Sequence, residues 1–347
     1  MSTASSLADR HRRPLGVLRL SLTGRCNLSC PYCCPDDADP PDLLTLEQQL
    51  RLIRVGCDLG VHTLRLTGGE PLLSPRLLPL LQRLAEGRAT PAHPFQGLRD
   101  VALTTNGVLL NDARASALSA AGLDRITISL DAVDGLLAAR MAGLRGGVEA
   151  GRRLVAQVLA GLEAARAAGF DPRSGALKLN AVVQRGVNDD QLLPLVDLAR
   201  QRQVELRLIE YMDVGNRNGW SLEQVVPAAE MIQRIHTRWP LEPIGRSVGG
   251  TSHRWRFRDG GGVIAVIASI TEPFCGDCNR LRVTADGQAF TCLFGSSGLD
   301  VRPHLHTDDQ LRQCLVGLWR DRIDRYSEER AEMSSAQSHA EMAYLGG

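Results

Sequence analysis

Short apolar runs recur along the first two thirds of the chain, each followed by a longer segment with the spacing of an amphipathic helix. The runs are Val17–Leu22, Thr63–Thr67, Val101–Thr105, Arg125–Leu130, Leu177–Val183 and Glu205–Tyr211. Several are rich in Val, Ile, Leu and Thr, which suits extended chain. Between them the spacing predicts helices over Thr45–Leu59, Pro75–Glu86, Asp112–Ala121, Ala150–Ala168 and Asp189–Gln201. Gly60, Gly122 and Gly169 follow three of these helices, where a left-handed closing residue is favoured. Asn188-Asp189-Asp190, just before Leu192 and Leu193, reads as a helix N-cap region. Strands alternating with helices predict an α/β fold with a parallel sheet. Six strand–helix units are fewer than the eight of a closed barrel. The expectation is a partial or open barrel, or a doubly wound sheet. The rhythm stops near Trp239-Pro240. Gly249-Gly250, Gly260-Gly261-Gly262, a strand-like Val263–Ser269, a group of cysteines and a terminal helix follow. This divides the chain into residues 1–245 and a smaller unit, residues 246–347.

Composition narrows the class. With 347 residues the chain is long enough for a large core, and 44% apolar with 23% charged residues excludes a disordered chain. The longest apolar runs, such as Val263–Ile267, fall far short of a bilayer span, so no membrane association is expected. The opening segment carries Asp9, Arg10, His11, Arg12 and Arg13 without a long apolar stretch, which does not resemble a secretory signal and predicts a cytoplasmic protein. A net charge of +1 argues against a nucleic-acid partner. The chain has nine cysteines, and those that cluster point to metal or redox chemistry. Of the 40 basic residues only Lys178 is a lysine. It stands where chance left it or where a planar guanidinium cannot replace a compact ammonium.

Cys26, Cys30 and Cys33 form Cys-x3-Cys-x2-Cys directly after the first predicted strand. Thiolates ligate iron–sulfur clusters and zinc. A structural zinc site wants a fourth ligand, and the adjacent Cys34 should point away from Cys33 in extended chain. Three ligands leave a cluster with one open iron. The segment Cys26-Asn27-Leu28-Ser29-Cys30-Pro31-Tyr32-Cys33 resembles the signature of the radical S-adenosylmethionine family. That resemblance implies a 4Fe-4S cluster whose open iron chelates S-adenosylmethionine and cleaves it to a 5′-deoxyadenosyl radical.

Other strand ends carry supporting elements. Gly68-Gly69-Glu70-Pro71 follows the second strand, Thr104-Thr105-Asn106-Gly107 the third, and Ser129-Leu130-Asp131 the fourth. Taken singly, each reads equally as a tight turn or polar cap. Their shared place, at the carboxyl ends of parallel strands, is where such folds hold ligands. Beside the cysteine triplet, Glu70 resembles the family's carboxylate for the methionine amino group. Arg19, Arg65 and Lys178 lie between apolar neighbours on three strands. A cation in a buried strand is paired or faces a functional cavity, and three of them suggest an anionic ligand.

Cys275 and Cys278 are followed 14 residues later by Cys292, a second set of three. A zinc ribbon completed by His304 or His306 is the other reading of this set. Arg280 and Arg282 sit at alternate positions, so in a strand both project on one face. Two three-cysteine sets, a Leu345-Gly346-Gly347 end, and the segments 210–216 and 324–330 together resemble the GTP 3′,8-cyclase family, which begins molybdenum-cofactor biosynthesis.

The resemblance spans Arg13 to Gly347 and implies a partial (β/α)6 barrel closed by a smaller cluster domain. It implies two 4Fe-4S clusters, on Cys26, Cys30 and Cys33 and on Cys275, Cys278 and Cys292. It implies S-adenosylmethionine contacts at Tyr32, Gly69, Glu70, Ser129 and Met212, and GTP contacts at Arg19, Arg65, Thr104, Lys178, Arg280, Leu281 and Arg282. Gly346 and Gly347 are implied in the ribose chemistry, which joins C3′ to C8 after hydrogen abstraction. Implied partners are GTP, a reductant, a second copy of the chain, and a cyclic pyranopterin monophosphate synthase that takes the product. Departures from the family pattern are Cys34-Pro35 after the third cysteine, a short 34–44 loop, Gly24 in place of an acidic residue, and the glycine-rich stretch Gly143–Gly151. The alternatives are a radical enzyme acting on a peptide or other metabolite, and a non-catalytic zinc-binding module.

Overall fold

The computed structural model describes residues 7–330 and 339–346. Its centre is a parallel sheet wound with helices in the predicted order. The strands are β1 (Val17–Ser21), β2 (Thr63–Thr67), β3 (Asp100–Thr105), β4 (Arg125–Ser129), β5 (Leu177–Val183) and β6 (Glu205–Glu210). Helices α1 (Leu46–Asp58), α2 (Leu77–Ala89), α3 (Asp112–Ala120), α4 (Gly135–Met141), α5 (Gly147–Ala167) and α6 (Leu192–Gln201) connect them, and α7 (Ala228–Arg238) follows β6. Each of β1 to β6 pairs in parallel with its sequence neighbour.

Local chemistry sets the helix ends. Thr45 and Gln48 form a reciprocal capping box at α1, while Asn111 caps α3 and Asp134 caps α4 through their side chains. Gly60, Gly122 and Gly169 have φ of +113°, +84° and +97°, as their helix-closing position requires. Asn188 departs from expectation. It caps nothing: its amide donates to the Asp131 and Val182 carbonyls at 2.8 Å each, and its oxygen accepts from Gln184 N. The side chain is buried and ties the ends of β4 and β5 together. Helix α4 lies where no element is predicted, because it is short and its partner α5 covers it. A Cβ on Gly151 would stand 1.7 Å from the Gly135 carbonyl, so the two helices approach at backbone distance.

The later strands are β7 (Leu241–Gly245), β8 (His253–Phe257), β9 (Val263–Ile267), β10 (Arg280–Val283), β11 (Gln288–Phe290) and β12 (Leu299–Asp300), with α8 (Asp308–Arg320) behind them. They build no separate sheet. β9 pairs in parallel with β6 at one edge and β10 with β1 at the other. The single sheet therefore runs β12-β11-β10-β1-β2-β3-β4-β5-β6-β9-β8-β7, a partial barrel of the expected class extended at both edges. Burial of Leu18, Leu20, Leu64, Leu66, Leu103, Leu179 and Leu208 packs its outer face against the helices. The opposite face lines the lumen, where Arg19, Arg65, Thr104, Asn180 and Arg207 stand beside Val17 and Ile209. Among the described residues no helix is long and apolar enough to cross a membrane.

Candidate functional site

The first cysteine loop follows β1 and leans on the glycine-rich stretch. Ser29 N donates to the Ala142 carbonyl at 3.1 Å, and a Cβ on Gly143 would stand 2.0 Å from the Ser29 carbonyl. Gly143, with φ of +65°, is thus a seat for the loop. Cys33 N and Cys34 N both donate to the Cys30 carbonyl at 3.0 Å, which makes a tight turn of Cys30–Cys34. Burial raises the Cys30 and Cys33 thiols, Cys33 to about 12, and the negative charge of the neighbouring cysteines raises them further. Thiols that burden one another in this way suit a cationic metal centre, which reverses the effect. Cys34 stands apart with φ of +48° and its Sγ on the Pro31 carbonyl at 3.0 Å.

Gly68, Gly69 and Glu70 support this loop from β2. A Cβ on Gly69 would stand 2.3 Å from the Arg25 carbonyl. Glu70 is buried, accepts from Thr105 Oγ1 at 2.7 Å, Asn106 N at 2.8 Å and Leu72 N at 3.0 Å, and so caps a short turn while locking the end of β3. Tyr32 donates to Asp131 Oδ2 at 2.7 Å, and Asp131 Oδ1 accepts from Val182 N. Burial pushes the Asp131 carboxyl up to about 6. Cys30, Tyr32 and Ser129 line a small cavity of about 50 Å³ with Asn106 and Asp131.

A second cavity, of about 180 Å³, lies in the lumen beneath it. Cys275, Cys278 and Cys292 line it together with Arg19, Arg65, Thr104, Met212, Arg280 and Arg282. His304 and His306 do not. The register sets Arg282, Arg19 and Arg65 side by side on β10, β1 and β2. Like charges directly across strands repel, yet no Asp or Glu lines this cavity among the described residues. Burial lowers the Arg65 guanidinium to about 9 and that of Arg282 to about 10, and the neighbouring arginines add to the effect. Burial works to raise the Cys278 thiol, but Arg280 and Arg322 outweigh it and bring it down to about 6, the behaviour of a ready thiolate ligand.

Two predicted GTP residues lie elsewhere. Leu281 sits between the two arginines on the opposite face of β10, 2% exposed in the core, so its side chain faces away from the cavity. Lys178 faces the lumen nearer the amino ends of the strands, in a separate open cavity of about 760 Å³. There its Nζ donates to Glu205 Oε1 at 2.9 Å, and Arg254 holds Oε2 at 2.8 Å.

The tail reaches the strand ends. Met342, Ala343 and Leu345 are buried and Tyr344 donates to Asp286. Gly346, with φ of +67°, presents its carbonyl to Arg19 and Thr67. Gly347 lies outside the described residues.

Sequence reasoning missed Arg207, which lines the cavity and donates to Thr127 Oγ1 at 2.8 Å. The signal was present: Leu206-Arg207-Leu208 repeats the pattern of Leu18-Arg19-Leu20 and Leu64-Arg65-Leu66. It also missed Arg322, whose partner Cys278 is 44 residues away, a distance no local pattern bridges.

Comparison with known proteins agrees with this geometry. The family model described as Radical SAM superfamily matches residues 20–199, and that described as Molybdenum Cofactor Synthesis C matches residues 204–328. The chain is similar to the GTP 3′,8-cyclase of Synechococcus sp. (strain CC9605), 68% identical over 347 residues and 100% of both chains. It is 46% identical to the GTP 3′,8-cyclase of Xanthomonas campestris pv. campestris (strain B100), covering 99% of this chain and 98% of that one. Among solved structures, Streptococcus suis SuiB bound to S-adenosylmethionine has a similar fold, with a TM-score of 0.61, 15% identity, and 97% of this chain covered against 74% of that one.

Proposed function

This chain belongs to the GTP 3′,8-cyclase family of radical S-adenosylmethionine enzymes, and we propose that the two cysteine sets and the arginine-lined cavity described above carry that reaction. Its substrate is GTP and its cofactors are two 4Fe-4S clusters and S-adenosylmethionine. The row of Arg282, Arg19 and Arg65 across three paired strands, with Arg207 and Arg280 lining the same cavity, is the observation that carries the assignment of the site. Buried guanidinium groups facing one another across neighbouring strands favour an anion between them, and a triphosphate supplies one. A peptide substrate offers no such need.

Cys26, Cys30 and Cys33 hold the cluster that faces S-adenosylmethionine, and Cys275, Cys278 and Cys292 the one that faces GTP. Together the first cluster and S-adenosylmethionine supply hydrogen-atom abstraction when bound. The protein's part is placement. Tyr32, anchored by Asp131, together with Gly69 and Ser129, frames the S-adenosylmethionine side, Met212 reaches it from the wall of the arginine-lined cavity, and Glu70 fixes the strand ends beneath it. The arginines and Thr104 orient the nucleotide, with Lys178 deeper in the lumen toward its phosphates. Gly346, held at the strand ends by Arg19 and Thr67, comes close to the ribose, and family resemblance gives Gly347 a part in the ribose chemistry. Residues 1–245 serve radical formation, and residues 246–347 contribute the second cluster and the tail. Family resemblance supports a cytoplasmic homodimer that takes electrons from a cellular reductant. It also supports a cyclic pyranopterin monophosphate synthase that consumes the product.

The deciding experiment is an anaerobic assay of the reconstituted protein with GTP, S-adenosylmethionine and reductant. It should yield 5′-deoxyadenosine and a cyclised nucleotide together. Formation of 5′-deoxyadenosine with no change in GTP would reject the reading.

A further inference from the structure

Arg322 lies just beyond α8, outside the arginine-lined cavity, with its side chain 2% exposed. Its guanidinium grips one cysteine at two points. Nη1 donates to the Cys278 carbonyl at 2.6 Å and Nη2 to Cys278 Sγ at 3.2 Å. Nε donates to Asp324 Oδ2 at 3.3 Å, and Nη1 lies 3.4 Å from Asp9 Oδ2. The guanidinium also stacks over Trp319 at 4.7 Å. Every edge of the group is thereby fixed, so the N–H aimed at sulfur is held rather than free to swing.

The opening segment supplies part of this fixation. Asp9, its side chain fully buried, takes Arg13 Nε at 2.5 Å as well as Arg322. Arg13 Nη1 donates to the carbonyls of Cys275 and Asp324 at 2.8 Å each. Asp324 in turn accepts from Thr291, the neighbour of Cys292. One buried network therefore runs from residues before β1 to the loops of all three cysteines.

We infer that Arg322 is a positioning residue that sets the reduction potential of the substrate-side cluster through an N–H···S bond to Cys278. The inference rests on the two-cluster reading. Reducing a cluster adds negative charge that spreads onto its thiolates. A cationic donor on one of them, in a buried site, favours the reduced form and raises the potential. Because Arg322 lies outside the cavity wall, its loss leaves the nucleotide contacts in place.

The test is a redox titration of the reconstituted full chain, wild type against Arg322→Met and Arg322→Lys, followed by electron paramagnetic resonance. Two reduction waves and about eight irons per chain are expected for the wild type. In Arg322→Met one wave moves to more negative potential and the other stays, while the iron count and the KM for GTP are unchanged. Arg322→Lys, which keeps the charge but not the fork, moves the same wave less. Unmoved waves in a Met variant that retains its iron overturn the inference. If that variant loses iron, the decision passes to protein labelled with ¹⁵N-arginine. A nitrogen coupling to one cluster in the wild type that vanishes in Arg322→Lys supports the role, and a coupling that persists there overturns it. A wild type with about four irons, or one unable to cleave S-adenosylmethionine, rejects the two-cluster reading instead.

Discussion

Arg19 Nη2 donates to the Gly346 carbonyl at 2.5 Å, joining the middle of the first strand to the last described residue of the chain. The contact places the tail against the same guanidinium that stands between Arg282 and Arg65. Gly346 has φ of +67°, and a Cβ there would lie 2.5 Å from both Ser21 Oγ and Thr67 Cγ2. A side chain thus meets two walls and a left-handed backbone cost of about 1–2 kcal/mol. Gly346→Ala should keep the fold and both clusters but lose at least tenfold in cyclised product, and deletion of Gly346 and Gly347 should do the same or more. Product analysis alongside iron content checks this, and full activity in either variant makes the tail dispensable.

The two cysteine sets are separable. Cys30→Ala should abolish 5′-deoxyadenosine formation. Cys278→Ala should lower bound iron to about half and stop cyclisation, while the first loop, seated on Ala142 and Gly143, still assembles. An unchanged iron count in Cys278→Ala removes that residue from the ligand set.

Much of this architecture was legible in the chain. The alternation of apolar runs with helical spacing located all six barrel strands to within a few residues, because both faces of a parallel sheet constrain its sequence. Cysteine spacing marked both thiol sets as candidates. What escaped has a common cause. That β9 and β10 join opposite edges of the barrel is a pairing between residues 58 or more apart, invisible to any local pattern. Glu70 and Asn188 look like simple caps in sequence, whereas each bonds groups on other strands. Lys178 satisfies the same apolar-neighbour test as Arg19, yet depth along the lumen, which sequence does not encode, pairs it with Glu205.

Asp131 gives a pH signature. Burial raises its carboxyl from 3.8 to about 6. The folded chain therefore holds this proton more tightly than the unfolded chain, so stability falls as pH rises between those two values. The slope from this group approaches about 1.4 kcal/mol per pH unit. Denaturant titrations of the cluster-free chain at pH 4 to 7 should show that slope in the wild type and a flatter profile in Asp131→Asn. Equal slopes would assign the proton elsewhere.

Arg207 separates stability from binding. It stands among like charges, and burial lowers its guanidinium to about 10. Arg207→Met removes repulsion together with one bond to Thr127. The unliganded protein should be as stable as the wild type or slightly more so. GTP should bind about 10- to 100-fold more weakly, the weight of a charge-assisted hydrogen bond of about 1.5–3 kcal/mol. Thermal denaturation and equilibrium binding together decide. A destabilised variant with unaltered affinity makes Arg207 part of the scaffold.

Lys178 poses the sharpest choice, because Glu205 already holds it. The pair is desolvated, which lowers the ammonium, while Glu205 works to raise it again. Asn180, two residues along β5, lines the arginine cavity, so Lys178 lies about 7 Å further toward the amino end. An extended triphosphate entering from the arginine row reaches toward that depth, and there it competes with Glu205 for the ammonium. Two substitutions distinguish ligand from scaffold. Lys178→Arg keeps the charge, but a planar fork replaces a point donor, so GTP affinity should fall about tenfold. Glu205→Gln removes the competitor, so affinity should rise, while stability drops by about 1–3 kcal/mol because Lys178 and Arg254 lose their shared carboxylate. Isothermal titration with GTP and denaturation of the same samples provide both numbers. If affinity stays at the wild-type value in both variants while Glu205→Gln is destabilised, Lys178 is an internal counter-ion and the triphosphate ends at the arginine row.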